Sequence, residues 1–516
     1  MNLMNTTSIN QPTRKQRIFA LLRYFLAPKR YPSKKTFSFQ LVINFTIATT
    51  VVIILHTAED LVFFKEIKDF TLDTLMYYHS DFESTLANDE KMRRMALIAI
   101  DDKTYREWGF PVITPRDKLK TLIEKAVEGG ANVIAVDIEL SWTSDGYIHT
   151  PNELAPQLSA DDQILVDYLH DINERDTAPP IILTGMYRKP VKDNGTIDNE
   201  SFFERQRSFL DEVLKPEKNV FWGSSFFVVE EDRIWRRWQL APLVCQEGHL
   251  TVVPSLALLT ALAELYSVED NKQAAVQKIR ELKTRLNDWA QQFSCNIKEK
   301  TMAELCDTQK TCPDFTVTLP QKAGINDKPH LINLAAGDAN ERIVYRFAPS
   351  DKPTPKRGAV IDIYSAAEVL AGEAEFENQI VFIGVTHQDS GDRHPIPIRV
   401  LTDIDGVYIV ANATDTLLRF GQLQPQSSQS KILKSIALVI LMTAIFTMFS
   451  VVQTLFLNTL LVFALFLWAL YQLYYGIDVD VAMYSLTIHI AQTLDRFIRY
   501  LFGKIVSVNE VWKNAV

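Results

Sequence analysis

The sequence predicts an α/β domain, with a mainly parallel sheet flanked by helices, and a transmembrane helical part of about four spans. The α/β domain is predicted by short, continuous apolar runs that end in acidic residues and alternate with helical patterns. The membrane part is predicted by long uncharged apolar segments near both ends of the 516-residue chain. With 47% hydrophobic and 23% charged residues, the chain is neither disordered nor collagen-like.

The clearest local pattern is a strand, a helix and a second strand. Residues 95–101 (MALIAID) and 131–137 (ANVIAVD) are apolar runs, each closed by an aspartate. Between them, residues 116–128 carry an apolar stripe at helical spacing, followed by Gly129 and Gly130 as a helix stop. The pattern predicts a right-handed βαβ unit in a parallel sheet.

Further elements extend this domain. We expect strands at 181–186, 220–229 and 379–385, and helices at 254–265 and 407–420. The polar stretch at 268–292 is helical by composition and is interpreted as part of an insertion near 265–325, an added hairpin that also carries cysteines.

The long apolar segments predict the transmembrane helices. Residues 39–56 are expected to form an uncleaved transmembrane anchor, and residues 431–495 three further spans. The last of these, at 479–494, contains His489 and Gln492, so an interfacial helix is the alternative there. The predicted domain organisation is then a basic arm (1–38), the anchor, an α/β domain (57–430), the closing spans and a short tail (496–516).

Charge is distributed unevenly and predicts the orientation. The formal net charge of −9 argues against a nucleic-acid partner. It combines +8 in residues 1–58, −19 in 59–430 and +2 in 431–516. By the positive-inside rule, the N-terminus and the tail are cytoplasmic and the acidic domain is exported.

The cysteines fall in the exported segment, where an oxidising compartment favours disulfides. Cys295, Cys306 and Cys312 share one polar stretch, and we expect one bridge among them, with its pairing undetermined. Free buried thiols are the alternative. The spacing does not fit a zinc site.

Candidate binding residues lie where the strands end, because ligands of open α/β sheets bind outside the carboxyl ends of strands. Asp101, Asp102, Asp137 and Glu139 could form a cation or acid/base site, although strand-end acids also cap the following helix. The loop after the strand at 379–385 contains His387, Asp389, Asp392 and His394, which have metal-ligand types. For these loop residues, we expect helix capping and hydrogen bonds within the loop in preference to metal binding.

No motif of nucleotide binding or of nucleophilic catalysis occurs, so we expect neither an enzyme nor a cofactor. Residues 233–238 (RIWRRW) are basic and aromatic. They are interpreted as a strand edge whose arginines pair with the acidic surplus, in preference to a lipid-contacting or partner-contacting patch.

Residues 96–141 resemble the opening of a CHASE sensor domain of the second class. The matching positions are Asp102, Gly109, Pro115, Arg116, Gly130, Ala131 and Asp137. The segments 231–237, 332–333, 380–392 and 405–418 resemble later motifs of this family in the same order, so the resemblance runs through most of 70–425. The chain departs from the family pattern at 111–115, where Pro-Val-Ile-Thr-Pro replaces the usual Trp-Pro-Trp.

The resemblance implies a bacterial inner-membrane protein with a periplasmic sensor-like domain. Such a domain would bind a small molecule, ion or envelope partner and relay its state to a separately encoded signalling protein. Arg116 and Asp392, followed by Asp102 and Asp137, are the expected ligand-binding or site-organising residues. The family usually carries a cytoplasmic effector, for which no room is expected after the last span. The alternative is a non-catalytic structural component of a multi-protein envelope complex.

Overall fold

The computed structural model contains two compact units, described separately below. The first comprises Met1–Leu75 and Pro425–Val516, and the second comprises Met76–Gln424. The structure describes residues 33–59, 61–86, 95–146, 158–192, 194–267, 272–307, 315–320, 330–335, 342–346, 361–372, 374–397, 402–425 and 427–515.

The helices of these residues are α1 (Lys34–Thr57), α2 (Val62–Leu86), α3 (Asp102–Glu107), α4 (Arg116–Glu128), α5 (Ala160–Glu174), α6 (Leu256–Tyr266), α7 (Lys272–Ala290), α8 (Met302–Asp307), α9 (Ala366–Ala371), α10 (Gly406–Phe420), α11 (Ser428–Met448), α12 (Val451–Tyr474) and α13 (Val481–Ala515). The strands are β1 (Met95–Ile100), β2 (Val133–Asp137), β3 (Ile181–Thr184), β4 (Tyr187–Arg188), β5 (Phe203–Arg205), β6 (Val220–Gly223), β7 (Phe227–Val229), β8 (Trp235–Trp238), β9 (Leu243–Gln246), β10 (His249–Val252), β11 (Thr316–Leu319), β12 (His330–Asn333), β13 (Ile361–Ser365), β14 (Ile380–Val385), β15 (Arg393–Ile396), β16 (Thr402–Asp405), β17 (Gln424–Pro425) and β18 (Ile477–Asp478).

The first unit is helical. In the part of the chain that the structure describes, three helices are long and apolar enough to cross a membrane: Lys34–Thr57, Gln429–Met448 and Val451–Leu473. They coincide with the predicted anchor and with the first two of the three predicted closing spans. The fourth predicted span lies in α13, which is not among these three. The residues predicted as a tail from 496 onward continue α13 as far as Ala515.

The helices of this unit share one apolar core. Val51 of α1, Met442 and Phe446 of α11, and Ile488 and Ala491 of α13 are all buried in it. A polar contact accompanies this packing, because the side-chain amide oxygen of buried Asn44 of α1 accepts a hydrogen bond from the Thr447 hydroxyl of α11 at 2.9 Å. The helix α13 is therefore a full member of the helical unit.

The second unit is built on a six-stranded sheet with the order β13-β1-β14-β2-β3-β6. Every neighbouring pair in this sheet is parallel. The predicted α/β class and the βαβ unit formed by β1, α4 and β2 are confirmed. The late strand β14 lies between β1 and β2, so the two strands of that unit are not neighbours.

Both faces of this sheet are buried. In β1, Leu97 and Ala99 contribute to the core on one face, while Ala96, Ile98 and Ile100 contribute to the core on the other. Alternate side chains of a strand point to opposite faces, so a strand covered on both sides needs apolar residues throughout. This explains why the strand at 95–100 is a continuous apolar run.

Helix α7, within the predicted insertion, packs into the core of this unit. Helix α7 buries Val276, Ile279, Leu286 and Trp289, which recur at the three- and four-residue spacing of a helix face. These side chains join the same apolar cluster as α6 and α10. The apolar stripe of α7 is therefore covered by the domain itself, and the interpretation of 265–325 as an insertion stays a prediction.

The cysteines among the described residues are disulfide-bonded, and the one pairing described was not indicated by the sequence. Cys295, after α7, is bonded to Cys245 of β9. Cys306 is also disulfide-bonded, and Cys312 lies outside the described residues. The omission of Cys245 from the predicted set was an error, because fifty residues of chain separate it from Cys295 and only the fold brings the two together.

The basic and aromatic segment forms β8, which pairs antiparallel with β7. Arg236 contacts Glu230 at 2.8 Å and Asp232 at 2.7 Å, and Arg237 also pairs with Glu230. The expectation of a strand whose arginines pair with neighbouring acids is confirmed.

Candidate functional site

The candidate site lies at the carboxyl ends of three adjacent strands. Asp101 and Asp102 follow β1, Asp137 closes β2, and His387 follows β14, which lies between them. Because neighbouring strands are about 4.8 Å apart, groups that follow β1 and β2 are separated by about 10 Å. We call the acidic groups at this edge, Asp102, Asp137, Asp392 and Asp405, the carboxylate edge.

Asp101 has a structural role beside this edge. Its Oδ1 accepts hydrogen bonds from the Thr104 amide at 2.9 Å and the Thr104 hydroxyl at 2.6 Å, so it caps the short helix α3. The Ser365 hydroxyl also donates to it, at 3.1 Å. The capping alternative is confirmed for this residue.

Asp102 ties two loops together. Its side chain is exposed, and its Oδ1 accepts a hydrogen bond from the Gln388 amide at 3.0 Å. Gln388 begins a short 3-10 turn in the loop after β14. The carboxylate therefore fixes that loop against the end of β1.

Asp137 is half-buried at the end of β2, and its Oδ1 accepts a hydrogen bond from the Thr184 hydroxyl at 3.0 Å. Burial and the nearby Asp392 carboxylate raise the pKa of Asp137, while Thr184 and His394 act in the opposite direction. Two carboxylates that share one site resist being ionised together. This residue therefore holds a proton more readily than an exposed aspartate does.

Asp392 is positioned by the start of α10. Its carbonyl oxygen accepts a hydrogen bond from the Gly406 amide at 3.0 Å, and a Cβ at position 406 would collide with the Asp392 carboxylate. Glycine is thus required at 406 for this carboxylate to approach the helix. The same carboxylate lies 2.8 Å from Nε2 of His394.

Asp405 belongs to the carboxylate edge, although no site role was predicted for it. It lies opposite Arg393 in the β15–β16 pair, with 3.6 Å between Nε of Arg393 and its Oδ1. The residue is only 6% exposed, and its Oδ1 accepts no hydrogen bond from the described part of the chain. Burial raises the pKa of Asp405 to about 6 against the effect of Arg393, and the carboxylates of Asp392 and Asp102 add to the rise. Its position directly before Gly406, at the start of a helix, was the available signal.

His387 and His394 stack on two different aromatic side chains. His387 stacks on Tyr105 with 3.8 Å between ring centroids, and His394 stacks on Trp235 at 3.6 Å. The His387 ring is buried, its Nδ1 has no hydrogen-bond partner, and burial lowers its pKa. Asp389 is exposed in the 3-10 turn.

The metal hypothesis gains no support from this arrangement. Within the described ranges, no group of three or more His, Cys, Asp or Glu side chains is placed to hold a metal ion. His387, Asp389 and His394 are close in sequence, but the two imidazoles face separate rings. Proximity along one loop is thus a weak indicator of convergence in space.

Arg116 is enclosed at the start of α4. Its side chain has no exposed surface, and its Nη2 donates to the carbonyl oxygens of Trp142 at 2.8 Å and Glu139 at 3.3 Å. Its Nε lies 3.9 Å from Asp162, which is equally buried. Burial lowers the pKa of Arg116 to about 10, although the carboxylates of Asp162 and Glu139 act to raise it. The contacts support the site-organising role, since this arginine fixes the segment that follows β2.

A family model for the CHASE2 domain matches residues 47–451, well over half of the chain. The chain belongs to the CHASE2 domain family. CHASE2 domains are extracytoplasmic sensor domains, so the α/β unit is a domain of a sensory type. The match begins within α1 and ends after α11, and so it also covers part of the helical unit. No curated protein and no solved structure matches the chain.

Proposed function

We propose that this CHASE2 protein is a bacterial inner-membrane sensor whose periplasmic domain binds its signal at the carboxylate edge and relays its state to a separately encoded partner. The observation that carries the proposal is that Asp102, Asp137 and the loop with Asp392 follow the carboxyl ends of the neighbouring parallel strands β1, β2 and β14. Burial and the Asp392 carboxylate raise the pKa of Asp137 there. Perturbed titratable groups clustered at strand ends are characteristic of functional sites. A relay requires that the bound signal favours one of two arrangements of the protein.

The proposed relay is tested by comparing what co-purifies with the full-length protein in mild detergent. We expect association with the signalling partner to change in Asp392→Asn and to remain as in the wild type in Asp389→Asn. The control removes the same charge from an exposed position of the same loop. Melting curves of both variants establish that they are folded.

The structural alternative makes the opposite prediction. A stable stoichiometric assembly with other envelope proteins, unchanged in folded Asp392→Asn, would overturn the sensor proposal. It would support a scaffolding role in an envelope complex, in which the carboxylate edge takes no part.

The proposed membrane topology has four spans, with α13 as the last, and a cytoplasmic N-terminus. It is supported by the positive charge of residues 1–58 and by the packing of α13 with α1 and α11. Alkaline phosphatase, which folds to activity only outside the cytoplasm, provides the test. We expect activity when it is fused after Gly476, between α12 and α13, and none when it is fused after Ala515. Equal activity at both positions would contradict a fourth span.

A further inference from the structure

The helical unit contains a pocket at the end where α1 finishes and α11 begins. Its apolar wall includes Val52, Leu55 and Leu438, and its charged side is formed by Glu59, Lys431 and Asp480. All of these residues belong to the helical unit. Binding sites for small molecules combine apolar walls with a few placed polar groups in this way.

Lys431 is the cation that this pocket offers to a ligand. The two acids are paired with another base, because Nζ of Lys68 in α2 lies 3.0 Å from Asp480 and 3.5 Å from Glu59. Lys431, by contrast, faces Glu59 across 3.8 Å, which is longer than a hydrogen bond. Ser435 also lines the pocket, one helical turn after Lys431 on the same face of α11. An ammonium group and a hydroxyl presented together are suitable donors for a phosphate.

Glu59 supplies the opposite charge beside Lys431. The basic groups of Lys68, Lys431 and His56 lie 3.5, 3.8 and 3.8 Å from its carboxylate, respectively. All three contacts are long for charged hydrogen bonds. A ligand with an anion and a cation close together pairs with both groups, its anion with Lys431 and its cation with Glu59. Phosphoethanolamine, in which a short ethylene link joins phosphate and ammonium, has this arrangement.

The surroundings of the pocket favour a lipid as the source of this headgroup. Both α1 and α11 are long and apolar enough to cross a membrane. Directly beside the pocket-lining positions of α11, Ile432 and Ile436 are more than half exposed, and acyl chains can cover them. Lysines near the ends of spanning helices extend toward the headgroups. The pocket itself admits only a few groups of the size of water, so it accommodates headgroup atoms while the chains stay outside.

We propose that this pocket binds a zwitterionic phospholipid of the phosphoethanolamine type. Its phosphate lies on Lys431 and Ser435, its ammonium group lies on Glu59, and its acyl chains lie along the exposed face of α11. The inference goes beyond the proposed function, because the site belongs to the helical unit and does not depend on the carboxylate edge. Such a lipid connects the end of α1 to the start of α11.

The experiment is native mass spectrometry of the full-length protein, with each compound added to the detergent at the same concentration. Phosphatidylethanolamine carries the whole headgroup, phosphatidylglycerol keeps the phosphate without the ammonium group, and diacylglycerol has neither. Glycerophosphoethanolamine keeps the headgroup without acyl chains. We expect phosphatidylethanolamine to bind most tightly, phosphatidylglycerol and glycerophosphoethanolamine more weakly, and diacylglycerol not at all.

Two variants separate the halves of the headgroup. Lys431→Gln removes the partner of the phosphate, so it should weaken both phospholipids at least about tenfold, as expected for a lost charge-assisted hydrogen bond. Glu59→Gln removes the partner of the ammonium group, so it should weaken phosphatidylethanolamine alone and abolish its preference over phosphatidylglycerol. The control is Lys434→Gln, which removes the same charge from the same helix. Lys434 lies over the Trp468 ring and is not among the residues that line the pocket, so wild-type binding is expected.

Melting temperatures establish that the variants are folded. Should Lys431→Gln fail to fold, Ser435→Ala, which removes only a hydroxyl, is expected to weaken both phospholipids. Wild-type binding by folded Lys431→Gln, or an equal loss in Lys434→Gln, would overturn the site. Equal binding of the two phospholipids by the wild type would overturn the zwitterionic class. Binding of glycerophosphoethanolamine as tight as that of the lipid would overturn the lipid source.

Discussion

Two buried charges of the α/β unit differ in how they are enclosed. Arg116 and its partner Asp162 both have no exposed side-chain surface, and Arg116 donates to two main-chain carbonyl groups. Asp405 is almost as buried, but the side chain of its partner Arg393 is 47% exposed, whereas Asp162 is fully buried. A fully buried charge whose partner is also buried contributes to the stability of the fold. A buried charge whose partner is open to solvent is held less firmly, because water competes for that partner.

The largest effect is expected at the fully buried charge. In Arg116→Ala, Asp162 loses its buried partner and the carbonyl groups of Glu139 and Trp142 lose their donor. Removing one member of a buried pair destabilises a protein by about 3–5 kcal/mol. Denaturant unfolding of the α/β unit measures this loss.

The matched control for Arg116 is Arg175→Ala, which breaks an exposed pair with Asp171. Exposed pairs contribute about 0–1 kcal/mol. A loss in Arg116→Ala as small as that of the control would contradict the role of Arg116 in fixing the segment after β2.

A smaller effect of opposite sign is expected at Asp137. Its pKa is raised in the folded protein, so between the unfolded pKa near 3.8 and the folded pKa the native state binds the extra proton. Stability is therefore full below the unfolded pKa and falls as the pH rises through the folded pKa. We expect Asp137→Asn to remove this loss and to stabilise the unit by about 1–2 kcal/mol at pH 8, since one pKa unit corresponds to about 1.4 kcal/mol.

Free energies of unfolding at pH 5 and pH 8 measure the pH effect at Asp137. The control is Asp145→Asn, which removes an exposed carboxylate a few residues further along the chain. If Asp137→Asn retains the wild-type decrease between the two pH values, the proton is held elsewhere and the repulsion between Asp137 and Asp392 is not its cause.

Local patterns predicted much of this fold. The helix Arg116–Glu128 has the predicted bounds, because its apolar stripe and glycine stop are encoded within a few residues. Long-range packing was not predictable in this way. Nothing near Cys245 indicates Cys295, and a charged residue at a helix start gives no sign that Arg116 is sealed inside.

In the candidate site too, residues marked by a local pattern were predicted, and one that depends on long-range contacts was not. Asp102, Asp137 and Asp392 were predicted because they end strands or lie in the loop after one. Asp405 was missed because its importance depends on the β15–β16 pair and on the contact between Gly406 and Asp392, which join segments that the sequence does not mark as neighbours.

The position of β14 has a consequence for biosynthesis. Met95 of β1 pairs on one side with Ile361 of β13 and on the other with Ile380 of β14, so both neighbours of β1 come from the late part of the domain. A ribosome releases β1 and β2 long before β14. Until then, two strands that are apolar on both faces have unpaired edges, which are prone to aggregation. We therefore expect newly made chains to associate with one another more readily before residue 385 has emerged than after it.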